Sequence, residues 1–112
     1  MTDTKPMKRL ELIQLIGDVI TKMDVLRSNF DRENTNRKRL DNIRDELDTY
    51  QRKLVRSVIN DNTIQFKELT VSLKGVNENL RQKIEDVDKT AKTLETLVKF
   101  VRVVQKIAEL IP

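Results

Sequence analysis

The chain contains no cysteine, no histidine and no tryptophan. Without cysteine there is neither a disulfide framework nor a thiolate metal site. Without histidine the commonest general base is missing, and with both absent nearly every zinc site and thiolate nucleophile is excluded. Two separated glycines, Gly17 and Gly75, cannot build a glycine-rich phosphate loop. The serines Ser28, Ser57 and Ser72 stand isolated, with no partner base. No uncharged run approaches the roughly 18 residues that a membrane-spanning helix needs. The first residues, MTDTKPMKRLELIQLIGDVI, are threaded with charge and lack a cleavage site, so they do not read as a signal peptide. The expectation from these absences is a non-enzymatic, cytoplasmic protein with no cofactor and no metal.

What remains is helix-forming material. Among 112 residues, 36% are charged and only four are aromatic: Phe30, Tyr50, Phe66 and Phe100. That composition belongs to long helices or a coiled coil rather than to a mixed α/β globule. The net charge of +4 is spread unevenly. Residues 35–60 carry seven basic and four acidic groups, and residues 91–112 carry four and two.

Apolar residues recur at Leu12, Ile16, Val19, Met23, Leu26 and Phe30, in the alternating steps of four and three that keep one helix face toward a partner. The register resumes at Leu40, Ile43, Leu47, Tyr50, Leu54 and Val58. A second run extends from Phe66 through Leu69, Leu73, Val76, Leu80, Val87, Leu94, Leu97, Val101, Val104 and Ala108 to Ile111. Pro6 suits the first turn of a helix, with Thr4 as its cap. Between the runs, Asn60 to Thr63 is the best turn signal: Asn60 tolerates a left-handed helix end, and Asn62 with Gln65 resembles a capping box. The spacing therefore predicts an all-α fold, a single domain spanning 1–112. It is a long antiparallel helical hairpin with one helix at about 7–59, a possible bend at 31–36, and a second helix at about 63–111.

Helical-wheel projection sharpens that expectation. From Phe66 to Val87 the main apolar residues span about 80°, enough for one neighbour, but from Leu94 to Ile111 they spread over about 240°. The first helix is also broad, about 160° between Leu12 and Phe30. A hairpin turning near residues 60–63 sets these two broad faces against each other at its open end, where they cannot fully cover one another. Each apolar side chain left in water forfeits roughly 1.5–3 kcal/mol. A second copy, completing a four-helix bundle over the terminal halves, is the simplest cover. The expected interface is Leu12, Ile16, Val19, Ile20, Met23, Leu26 and Phe30 of the first helix, with Leu97, Phe100, Val101, Val104, Ile107, Ala108 and Ile111 of the second. A different helical protein is the other candidate partner. A first helix folded back at Asp31 to Asn36 is the rival topology, which the narrow arc beside it disfavours. In the hairpin, Glu33, Arg37 and Lys83 would form a polar layer, unless the helix bends there and releases them to water.

Two further functions are compatible with the residues. The segment Thr96 to Pro112, edged by Lys99, Arg102 and Lys106, has the look of an interfacial amphipathic helix, so a membrane-docking role is the alternative. A weaker one is polyanion binding by Arg37, Lys38, Arg39, Arg52, Lys53 and Arg56, although Asp41, Asp45, Glu46 and Asp48 interrupt them and no aromatic is placed to stack bases. Asp41 and Asp45 could in principle hold a divalent cation; ion pairing with Arg37, Arg44 and Arg52 is the expected fate of such a pattern. No family resemblance accompanies the heptads, which are generic to antiparallel coiled coils.

Overall fold

A computed structural model describes residues 5–112, so the Thr4 cap lies outside the described residues. The chain is all-helical, with four α-helices packed against one another: α1 (Arg9–Arg27), α2 (Thr35–Arg56), α3 (Ile64–Arg81) and α4 (Thr90–Ala108). A short 3-10 turn, Val87–Lys89, leads into α4. Close packing runs from α1 to α2, from α2 to α4 and from α4 to α3. The body measures 42 × 33 × 17 Å, the thin dimension admitting two layers of helix.

Both long helices of the expected hairpin are thus interrupted. The first stops at Arg27 because the apolar register runs out: residues 28–35 lack a large apolar side chain except Phe30. Short polar side chains there bond the backbone instead. Ser28 Oγ donates to the Val25 carbonyl (2.6 Å), and the amide of Asn29 donates to the carbonyls of Val25 and Leu26. Asn34 caps α2 by accepting from the Asn36 N–H at 2.8 Å. Glu33 does not join a polar layer; its side chain is 94% exposed. Arg37 donates to the Phe30 carbonyl (2.9 Å) and so ties off the loop.

The second break, at residues 82–89, has a related origin. Between Leu80 and Val87 the heptad seam lacks a member, and the apolar residue available, Ile84, buries itself by leaving the helical path. Asp86 then caps the new start, its carboxylate accepting from the Asp88 N–H (3.0 Å). Lys83 reaches across to donate to Thr96 Oγ1 at 3.2 Å. At the expected turn, α2 ends at Arg56 and α3 opens at Ile64. Asn60 is not left-handed, since no described non-glycine residue has positive φ. Its side chain accepts from the Asn62 N–H, and Thr63 rather than Asn62 caps α3 through the Phe66 N–H.

The two breaks fold α4 back onto the rest of the chain, and this explains its width. Ten of its nineteen residues are buried, including Leu94, Leu97, Phe100, Val104 and Ile107. A helix packed against both α2 and α3 needs an arc far wider than a hairpin seam. By contrast α3, whose close neighbour is α4, buries the narrow stripe Phe66, Thr70, Leu73 and Leu80. The arcs of α3 and α4 therefore follow the number of their neighbours, whereas α2 packs on both α1 and α4 with a narrow stripe of Leu40, Leu47 and Leu54. The wheel comparison set against a folded-back first helix assumed an unbroken second one.

Packing is dense in apolar contacts but carries one internal flaw: Thr93 is fully buried and its hydroxyl has no hydrogen-bond partner. Thr90 and Thr96, on the same helix, both satisfy theirs against backbone carbonyls. An unpaired buried hydroxyl costs about 1–3 kcal/mol, so Thr93→Val, which keeps the shape, is expected to raise stability by about 1 kcal/mol in urea unfolding. Gly75, where an added Cβ would meet nothing within 4 Å, gives a matching expectation. Gly75→Ala should stabilise α3 by up to about 1 kcal/mol. Phe100→Ala, in contrast, should cost about 3–5 kcal/mol.

Candidate interaction surfaces

The residues expected to form an interface between copies lie inside the chain's own core. Leu12, Ile16, Val19, Ile20, Met23 and Leu26 are buried on α1, and Leu97, Phe100, Val101, Val104, Ile107 and Ala108 on α4. Phe30 and Ile111 are partly buried against the same cluster. The shortage of cover that called for a second copy is met by helices from within, because the breaks at 28–34 and 82–89 create two additional surfaces. The C-terminal segment likewise offers its apolar side to α2 and α3 rather than to solvent.

The six basic residues grouped as a polyanion patch separate into two sets. Arg37, Lys38 and Arg39 sit at the start of α2 and Arg52, Lys53 and Arg56 at its end, roughly 22 Å apart along the axis. Lys38 approaches Glu33 (3.8 Å) and Arg52 pairs with Asp48 (2.9 Å). Lys53 and Arg56 line a shallow hollow with Thr49, Arg52 and Ser57.

Of the acidic residues of α2, Asp41 is drawn across to α1, while Asp48 pairs with Arg52 on its own helix. Arg44 Nε donates to Asp24 at 2.6 Å, while Arg27 bonds Asp41 at 2.8 Å and approaches Asp24 at 3.5 Å. Four alternating charges thereby lock the far ends of α1 and α2 in antiparallel register. The hydrogen bond to Asp24, outweighing partial burial, holds the Arg44 guanidinium still more firmly in its charged form. Toward the other end, Gln51 donates to the Ile13 carbonyl and Arg9 to the Leu54 carbonyl. Asp41 is therefore an ion-pair partner, and among the described residues no cluster of three acidic side chains could hold a metal ion.

The main concavity follows α1 where it faces α3. The two helices are bridged at one end by the Met7 N–H donating to the buried Thr70 Oγ1 (3.1 Å), yet they do not pack closely along their length. Two successive hollows of about 380 and 340 Å³ open between them, and a third of about 310 Å³ continues along α1 against Ile84 and Glu85 of the 82–89 segment. The buried side chains Met7, Val19, Leu80 and Ile84 and the half-buried Leu15 lie at the base of the first two, whose exposed lining is more polar than apolar, with Gln14, Asp18, Lys74 and Asn77 at the rims. The groove runs for about 28 Å, the length of α1 at 1.5 Å per residue. Sequence reasoning missed it. The available signal was the polar stripe Gln14 and Asp18 on α1 with Lys74, Asn77 and Arg81 on α3, each at helical spacing beside the buried seam. A seam with such a stripe on both sides reads as solvated surface until the two helices are known to be neighbours.

No protein-family model, no curated protein and no solved structure matches the chain.

The ion cluster gives a direct test of what registers α1 on α2. A double-mutant cycle of Asp24→Asn with Arg44→Gln should return a coupling of about 0.5–1 kcal/mol, as fits partly exposed charges, and it should shrink in high salt. Coupling indistinguishable from zero at low salt would assign the register to packing alone.

Proposed function

We propose that the protein is a non-enzymatic assembly or adaptor module whose working surface is the α1/α3 groove, and that the first partner to occupy it is a second copy of the chain. The observation carrying this reading is that α1 and α3 remain apart along a polar-rimmed groove while the other neighbouring helices close up. Rims of mixed sign, Asp18 and Lys22 on α1 with Glu78 and Arg81 on α3, are self-complementary under a twofold rotation. Packing α1 and α3 on their copies would complete a four-helix layer, in place of the one anticipated at the chain termini. A face two helices wide and about 28 Å long buries about 1,200 Å² in total, the lower limit for a specific interface. The dimer is accordingly a concentration-dependent one.

Light scattering across a concentration series tests this. The mass should rise from 13.2 kDa toward twice that value. Asp18→Arg and Asn77→Arg should return it to the monomer with helical content unchanged, because both positions lie on the groove rim. A chain that stays monomeric up to about 1 mM would remove the proposal, as would a dimer indifferent to both substitutions.

A further inference from the structure

Six large apolar side chains are exposed among the described residues, and four of them, Leu10, Val55, Val58 and Ile64, belong to one end of the molecule. Val58 is 86% exposed and Ile64 73%. The turn between α2 and α3 carries Val58 and begins at the foot of Val55. The start of α1 is pinned beside it: the Arg9 N–H donates to Asp61, and the Arg9 guanidinium to the Leu54 carbonyl. Leu10, the next residue, is thus held at the same end. None of the four belongs to the buried cluster, and most of their apolar surface is left in water.

The charge of this end differs from that of the rest. Residues 5–11 and 52–68 contain seven basic and three acidic side chains, an excess equal to the net charge of the whole chain. Asp61 is engaged by Arg9, and Arg52 is partly neutralised by Asp48. Lys53, Arg56 and Lys67 are exposed beside the valines and isoleucine.

We infer that this basic, aliphatic tip docks on an anionic lipid surface, the side chains of Val58 and Ile64 entering the headgroup boundary while Arg52, Lys53, Arg56 and Lys67 meet lipid phosphates and carboxylates. Charge complementarity selects a polyanionic partner, and the apolar residues select which one. A nucleic acid would engage bases through aromatic stacking, but the aromatic side chain in this region, Phe66, is fully buried. Aliphatic side chains projecting from a turn gain nothing from a phosphate backbone, whereas they gain burial at a bilayer interface. No helix of the described residues is long and apolar enough to cross a membrane, so the contact is peripheral. It uses a surface separate from the α1/α3 groove and stands whether or not the chain dimerises.

Vesicle co-sedimentation tests it, with phosphatidylcholine alone and with phosphatidylcholine mixed with phosphatidylserine. The intact chain should bind the mixed vesicles and not the neutral ones, and added salt should weaken the binding. Each basic side chain near an anionic leaflet strengthens binding about five-fold, so neutralising Arg52, Lys53 and Arg56 together should weaken it about 100-fold. Val58→Ser with Ile64→Ser should weaken it several-fold, while Lys38→Gln with Arg39→Gln at the far end should leave it unchanged. All these positions are exposed, and circular dichroism confirms that the variants are folded. Absence of binding to phosphatidylserine vesicles at low salt would overturn the proposal. So would binding that the far-end pair reduces as much as the tip substitutions do, or binding to single-stranded RNA that exceeds lipid binding and ignores the loss of Val58 and Ile64.

Discussion

The constraint from which the structure follows is the need to cover α4. From Leu94 to Ile107 this helix presents apolar side chains around most of its circumference, and a single antiparallel neighbour would leave much of that surface wet. At roughly 1.5–3 kcal/mol for each large side chain, exposing even four of them would consume a stability comparable with that of a whole small domain. The chain answers by breaking twice and bringing both α2 and α3 against α4. The loops at 28–34 and 82–89 are accordingly not incidental kinks, because without them neither cover reaches its place. Their side chains, Asn34 and Asp86 in particular, satisfy the backbone groups that the breaks set free.

The remaining features divide according to whether they serve that cover. Alternating ion pairs among Asp24, Arg27, Asp41 and Arg44 register α1 on α2, and Arg9 ties the start of α1 to the α2/α3 turn. The α1/α3 seam and the aliphatic tip are different. One leaves a groove between two helices that do not close up, and the other leaves apolar side chains in water beside exposed bases. Both cost the isolated chain something, which is why each is the place to look for a partner. A module with a protein-binding groove along one side and a lipid-facing tip at one end would link a bilayer surface to an assembly on it.

Much of the helical content was legible in the sequence, since the three-and-four spacing of Leu40, Leu47 and Leu54, or of Phe66, Leu73 and Leu80, survives as the buried stripe of α2 and α3. The arc widths were legible too. What could not be read from one heptad trace was which helices supply the neighbours. A gap in the seam, as between Leu80 and Val87, is equally consistent with a weak continuous helix and with a reversal. Local capping by Asp86 and burial of Ile84 decide between them, and both depend on tertiary contacts. The same limit displaced the candidate interface. Those apolar residues are buried or partly buried in the chain's own core. Val58, placed in the heptad register by its spacing, projects into solvent because α2 has already ended at Arg56.

The central claim is that α4 is covered by its own chain. Amide hydrogen exchange along α4, followed over a wide range of protein concentration, tests it most directly. If α2 and α3 of the same molecule supply the cover, protection from Leu94 to Ile107 will be high and independent of concentration, even where light scattering records only monomer. Protection that falls as the protein is diluted would show that the cover comes from another copy, and would contradict the account.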